Sequence, residues 1–124
     1  MNREKIIKTT GAKGEEIATN YLIKNSYKII SRNFHSKYGE IDIIAEKDDT
    51  LYFFEVKTRK PYSFTQPEES ITRQKISRII KTAQIFVSRT PQTYTKSWRI
   101  MLIGIILDRN MSDKNFTITL TEIL

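Results

Sequence analysis

The chain has 124 residues, 39% of them hydrophobic and 28% charged, a balance that fits one soluble globular domain over its whole length and excludes a disordered polyelectrolyte. Lys and Arg outnumber Asp and Glu by 21 to 14, a net charge of +7 that biases encounters toward polyanions such as nucleic acid. Cysteine is absent and His35 is the only histidine, which excludes disulfides, a cysteine nucleophile and a zinc site of the usual nitrogen and sulfur type; any bound metal should be a hard cation held by carboxylate oxygens.

Residues 1–10 are charged, with Ile6-Ile7 as their only apolar pair, and are expected to form a flexible lead-in and not a secretory signal. No apolar run approaches bilayer length, so no membrane association and a cytoplasmic location are expected. After Gly11-Ala12-Lys13-Gly14, the spacing of Ile17, Ala18, Tyr21 and Leu22 predicts an amphipathic helix from Lys13 to Lys24, ended by Asn25-Ser26. Tyr27 to Phe34 reads as a strand. Two further strand-like runs, Glu40 to Glu46 and Leu51 to Lys57, flank the turn-rich Lys47-Asp48-Asp49-Thr50 and predict a hairpin. Lys60 to Pro67 reads as a loop. Ile76, Ile79, Ile80, Ala83, Phe86 and Val87 then mark one face of a helix from Glu68 to Ser88. Pro91 breaks it, and strands follow at Arg99 to Leu107 and Phe116 to Leu120. The order α-β-β-β-α-β-β, with no repeat or linker, predicts an α/β fold with one mixed sheet flanked by helices.

The hairpin carries the chemistry. A turn centred between Asp48 and Asp49 pairs Glu46 with Leu51 and, four residues on, Asp42 with Glu55. Lys57, two residues beyond Glu55, shares its face. Two carboxylates facing each other between apolar flanks repel, and a cation such as Mg²⁺ or Mn²⁺ held by Asp42, Glu55 and the carbonyl of Val56 would remove the repulsion. Such an ion lowers the pKa of bound water, and Lys57 beside it would orient that water or neutralise a phosphate, the chemistry of phosphodiester hydrolysis. A solvated ion-pair ladder is the plainer reading of these three residues. Glu15 lies on the apolar stripe of the first helix, where it would either reach the metal site or face the positive end of the helix dipole. Arg59, Lys60, Arg73, Lys75, Arg78 and Lys81 follow the hairpin and are candidate phosphate contacts, with a merely solvated helix edge as the alternative. Tyr62 and Phe64 are placed to pack against bases, sugars or the core. His35 in its polar loop is given no catalytic role, and Trp98 reads as a packing residue.

Gly14-Glu15 with Ala18 and Tyr21-Leu22, Arg32-Asn33-Phe34, Gly39-Glu40-Ile41-Asp42, Phe54-Glu55-Val56-Lys57-Thr58-Arg59, and Lys75 with Arg78 together resemble the YraN family of bacterial endonuclease-like proteins. That family is similar to archaeal Holliday junction resolvases and other restriction-endonuclease-like nucleases. The resemblance implies the same fold, acidic active-site positions at Glu15, Asp42 and Glu55, the signature lysine at Lys57, branched or structured DNA as substrate, and action as a homodimer; cleavage of RNA shares the same phosphoryl chemistry and is a further alternative that charge does not exclude. Two positions depart from the family pattern: Ser26 stands for the usual glycine, and Met101 stands where an acid usually follows the long helix. A binding adaptor of the same fold, without chemistry, in DNA repair, uptake or recombination is the alternative function.

Overall fold

The run from Leu51 to Val56 is apolar at nearly every position, which a strand sustains only with cover on both faces. The computed structural model, which describes residues 3–61, 71–108 and 115–124 (residues 3–10 as backbone), supplies that cover. Helix α1 (Arg3–Lys24) leads into strands β1 (Lys28–Ser36), β2 (Gly39–Lys47) and β3 (Thr50–Arg59). Helix α2 (Arg73–Ser88) and a turn of 3-10 helix (Pro91–Thr93) carry the chain to β4 (Ser97–Leu107), and β5 (Phe116–Glu122) follows. The sheet runs β1-β2-β3-β4-β5, with β3 and β4 parallel and every other neighbouring pair antiparallel. This is the expected mixed sheet in the expected order.

Each helix closes one face. Ile17, Ala18 and Leu22 of α1 pack on Ile43, Phe54, Ile103 and Ile105. Ile79, Ala83 and Phe86 of α2 pack on Ile44, Phe53 and Ile100. Trp98 is a packing residue, its ring edge-on to Phe53 at 5.4 Å. The β2–β3 turn matches the sequence reading: Lys47 pairs with Thr50, and the two residues between, Asp48 (φ 50°) and Asp49 (φ 62°), take the left-handed conformations of a tight hairpin turn. Lys96 ties the turn down through Glu46 and Asp49.

Several boundaries differ from expectation for physical reasons. Helix α1 begins at Arg3, not Lys13, so residues expected to be a flexible lead-in form its first turns and both Gly11 and Gly14 lie inside it. Gly14 is there for contact: a Cβ at this position would collide with the Thr58 side chain of β3. The helix stops in a Schellman arrangement, with Ser26 at φ 70°, its N–H donating to Ile23 and the Tyr27 N–H donating to Leu22. Helix α2 begins at Arg73, later than expected, because the Thr72 hydroxyl caps it by accepting from the Lys75 N–H at 3.1 Å. Tyr62, Phe64 and Glu68 lie outside the described residues. Among the described residues no helix is long and apolar enough to cross a membrane.

The seat of α1 on β3 predicts that Gly14→Ala lowers stability by about 1–3 kcal/mol through overpacking against Thr58, read from the urea midpoint at constant m-value. Gly11→Ala, with nothing within 4 Å of the added carbon, should cost nothing.

Candidate functional site

The site begins where the sheet comes apart. The β2–β3 ladder keeps the expected register through Ile43↔Phe54 and ends there, one pair before Asp42 would face Glu55. In place of a ladder bond, the Asp42 carboxylate takes the strand's next donor: the Val56 N–H donates to Oδ2 at 2.7 Å. Beyond this point β3 stays paired with β4 as far as Arg59↔Ile106. Its other edge opens on a cleft lined by Glu55, Val56, Lys57, Thr58, Arg59 and Lys60, with Asp42 from β2 and Gly11 and Glu15 from α1.

The separation originates in a break of side-chain alternation. Ile41 packs under α2 and Ile43 under α1, although residues two apart on a strand normally share a face. On the neighbouring strand Phe34 belongs to the α2 side, whereas Arg32 reaches Glu15 and Glu16 of α1. Asn33, between them, has φ 54°. The expected simple register, in which Asp42 and Glu55 face each other across a regular ladder, is therefore corrected: both strands twist at Asn33 and Asp42, and the acids meet in a cleft at the end of the ladder.

Charge in the cleft is closely balanced. Glu55 is 5% exposed, and the Lys57 and Lys75 ammonium groups both approach its Oε1, at 3.5 and 3.2 Å. Lys75, expected only as a phosphate contact, thus also partners the buried acid. Burial, followed by the neighbouring Glu55 charge, pushes the Asp42 carboxyl up to about 7, against the opposing pull of the Val56 N–H. Glu15 lines the cleft, with its carboxylate 3.7 Å from Arg32. Among the described residues no three acidic or histidine side chains are grouped closely enough to hold a metal by themselves. Among the same residues, Arg59 Nε is buried without a hydrogen-bond partner.

The remaining sequence candidates lie elsewhere. Arg73 opens α2 away from the cleft lining. Arg78 and Lys81 line a separate pocket beside the β1–β2 turn. His35 is exposed, its Nδ1 3.6 Å from Glu40. Sequence reasoning missed Thr58 and Gly11 as lining residues; the glycine-rich opening of α1 was the available signal for a close helix–strand approach.

Residues 14–105 match the family described as "Uncharacterised protein family UPF0102". The chain belongs to UPF0102, the YraN family. A UPF0102 protein of Syntrophomonas wolfei is 47% identical over 94 residues, 76% of this chain and 77% of that one. One from Clostridium botulinum is 39% identical over 115 residues, 93% of this chain and 92% of that one, and one from Persephonella marina is 39% identical over 105 residues, 85% and 90% of the two chains. The part of UPF0102 matched in this chain runs from the middle of α1 through most of β4 and includes every cleft residue except Gly11.

The raised pKa of Asp42 fixes a pH dependence for this UPF0102 protein. The carboxyl binds its proton more tightly folded than unfolded, so its contribution favours folding below its ordinary pKa and is lost as pH rises from about 4 through about 7. Asp42→Asn removes the titration and keeps an oxygen to accept from Val56. The variant should gain stability relative to the parent between pH 5 and pH 8, by on the order of 2 kcal/mol in urea unfolding; parallel pH profiles would contradict it.

Proposed function

We propose that this chain is a metal-dependent endonuclease that hydrolyses phosphodiester bonds in DNA, with structured or branched DNA as its substrate class. The observation that carries this reading is the cleft at the end of the β2–β3 ladder, where desolvated Asp42, buried Glu55 and Lys57 meet.

The donor set fits a hard divalent ion, Mg²⁺ or Mn²⁺. Asp42, Glu55 and the Val56 carbonyl offer only oxygen, and a cation between the acids would offset both the burial that raises the Asp42 pKa most and the Glu55 repulsion that adds to it. Glu15 adds an acid from α1, directly or through water. A bound ion supplies Lewis-acid polarisation and a water of lowered pKa. The chain's own groups do the rest. Lys57 offsets charge developing on the scissile phosphate or orients the attacking water. Lys75 balances Glu55 from α2. Arg59 brings a buried N–H that a phosphate oxygen would satisfy, and Lys60 extends the positive rim along the backbone of the substrate.

A second reading, a DNA-binding adaptor without chemistry, draws on the two ammonium groups that already neutralise Glu55. One experiment separates the two. Purified protein is incubated with linear, single-stranded, flap and four-way-junction DNA in Mn²⁺, Mg²⁺ or chelator, alongside Asp42→Asn and Lys57→Ala. Cutting of a branched substrate that needs the metal and falls at least about 100-fold in each variant is the expected result. Mn²⁺ should also raise the melting temperature of the parent but not of Asp42→Asn. Cutting that survives both substitutions removes the site, and salt-sensitive binding without any cutting selects the adaptor. Sedimentation of the protein with a junction tests whether two copies bind together, as paired cuts require.

A further inference from the structure

We propose that the pocket between the β1–β2 turn and α2 is a second phosphate site, which grips the nucleic-acid backbone a short distance from the cleft. The inference rests on the reading of this chain as a protein that binds DNA.

The pocket, about 540 Å³, gathers Lys37, Arg78 and Lys81 around Tyr38, and its lining contains no acidic side chain. Three cations around one concavity repel each other, and an anion shared among them removes that cost. Tyr38 organises the group. The Lys37 and Lys81 ammonium groups each lie 5.2 Å from the centre of its ring, so one aromatic side chain positions a cation from the turn and a cation from the helix.

The turn is fixed against α2 before any ligand arrives. Ser36 Oγ accepts from the Tyr38 N–H at 3.0 Å and bonds to Thr82 Oγ1 at 2.8 Å, and Thr82 is fully buried. Gly39, at φ 151°, supplies a backbone conformation that other residues rarely adopt and sits in ordinary contact range of Arg78, whose Cβ lies 4.0 Å from where a side chain at 39 would begin. The pocket is therefore built by tertiary contacts and is not a chance meeting of mobile lysines.

Two elements set its distance from the cleft. Along α2, Arg78 and Lys81 lie about 4.5 and 9 Å beyond Lys75, which touches Glu55. Along β2, Gly39 precedes Asp42 by about 10 Å. At about 3.4 Å per nucleotide, these spacings place the gripped phosphate roughly one to three steps from the cleft.

The test reads binding, not cleavage. A fluorescein-labelled DNA duplex is titrated with the full chain in chelator across a salt series, by anisotropy. Arg78→Ala with Lys81→Ala should weaken binding roughly ten-fold and lower the salt slope by about two, whereas the equally charge-depleted pair Lys24→Ala with Lys28→Ala should not. Tyr38→Phe should match the parent, and Tyr38→Leu should weaken binding about three-fold or more, since only the ring is needed. An unchanged slope in the Arg78 and Lys81 variant, an equal loss in the control pair, or equal behaviour of Phe and Leu at position 38 overturns the proposal. Calorimetric binding of inorganic phosphate that Arg78→Ala with Lys81→Ala abolishes, with the DNA slope untouched, overturns it in favour of a free-anion site. If the parent cuts no DNA but these binding differences hold, the nuclease reading falls and this site stands; normal cutting with unchanged binding gives the reverse.

Discussion

The hydrogen bond from the Val56 N–H to the Asp42 carboxylate is the contact on which the site depends. It replaces the next rung of the β2–β3 ladder, so a side chain from one strand satisfies a backbone donor of the other and the sheet can open without orphaning that group. The same bond holds a carboxylate in a place where burial and Glu55 both disfavour its charge. Remove it, and the Val56 N–H loses its acceptor at the point where the strands diverge.

Around that bond the fold acts as a frame with two independent walls. Helix α1 closes one face and brings Gly11 and Glu15 to the cleft, while α2 closes the other and brings Lys75 to Glu55. The parallel pairing of β3 with β4 is long and runs on past the break. The strand that carries five consecutive lining residues is thus held rigidly on one side and left open on the other.

Much of this was legible in the amino-acid sequence. The Asp48-Asp49 turn fixed the hairpin register through chemistry that any sequence displays, and the family motifs converged on residues that the cleft brings together. The break at Asn33 and Asp42 was not legible, because strict two-residue alternation is the assumption by which strands are read and Ile41, Ile43 and Ile44 look alike on either face. The start of α1 was hidden for a related reason. Glycine inside a helix normally argues against one, and only the tertiary contact with Thr58 explains Gly14. The double role of Lys75 depends on where α2 lies in space, which periodicity along one helix does not specify.

The open edge of β3 has a further consequence, for solubility. A strand edge that leaves its partner is a template on which a foreign strand can add, and such addition seeds aggregation. Here the edge is short, and it carries Lys57 and Arg59 with Lys60 directly after. Positive charge at those positions repels a like copy approaching edge to edge, so the opening is guarded against self-association by the side chains that line it.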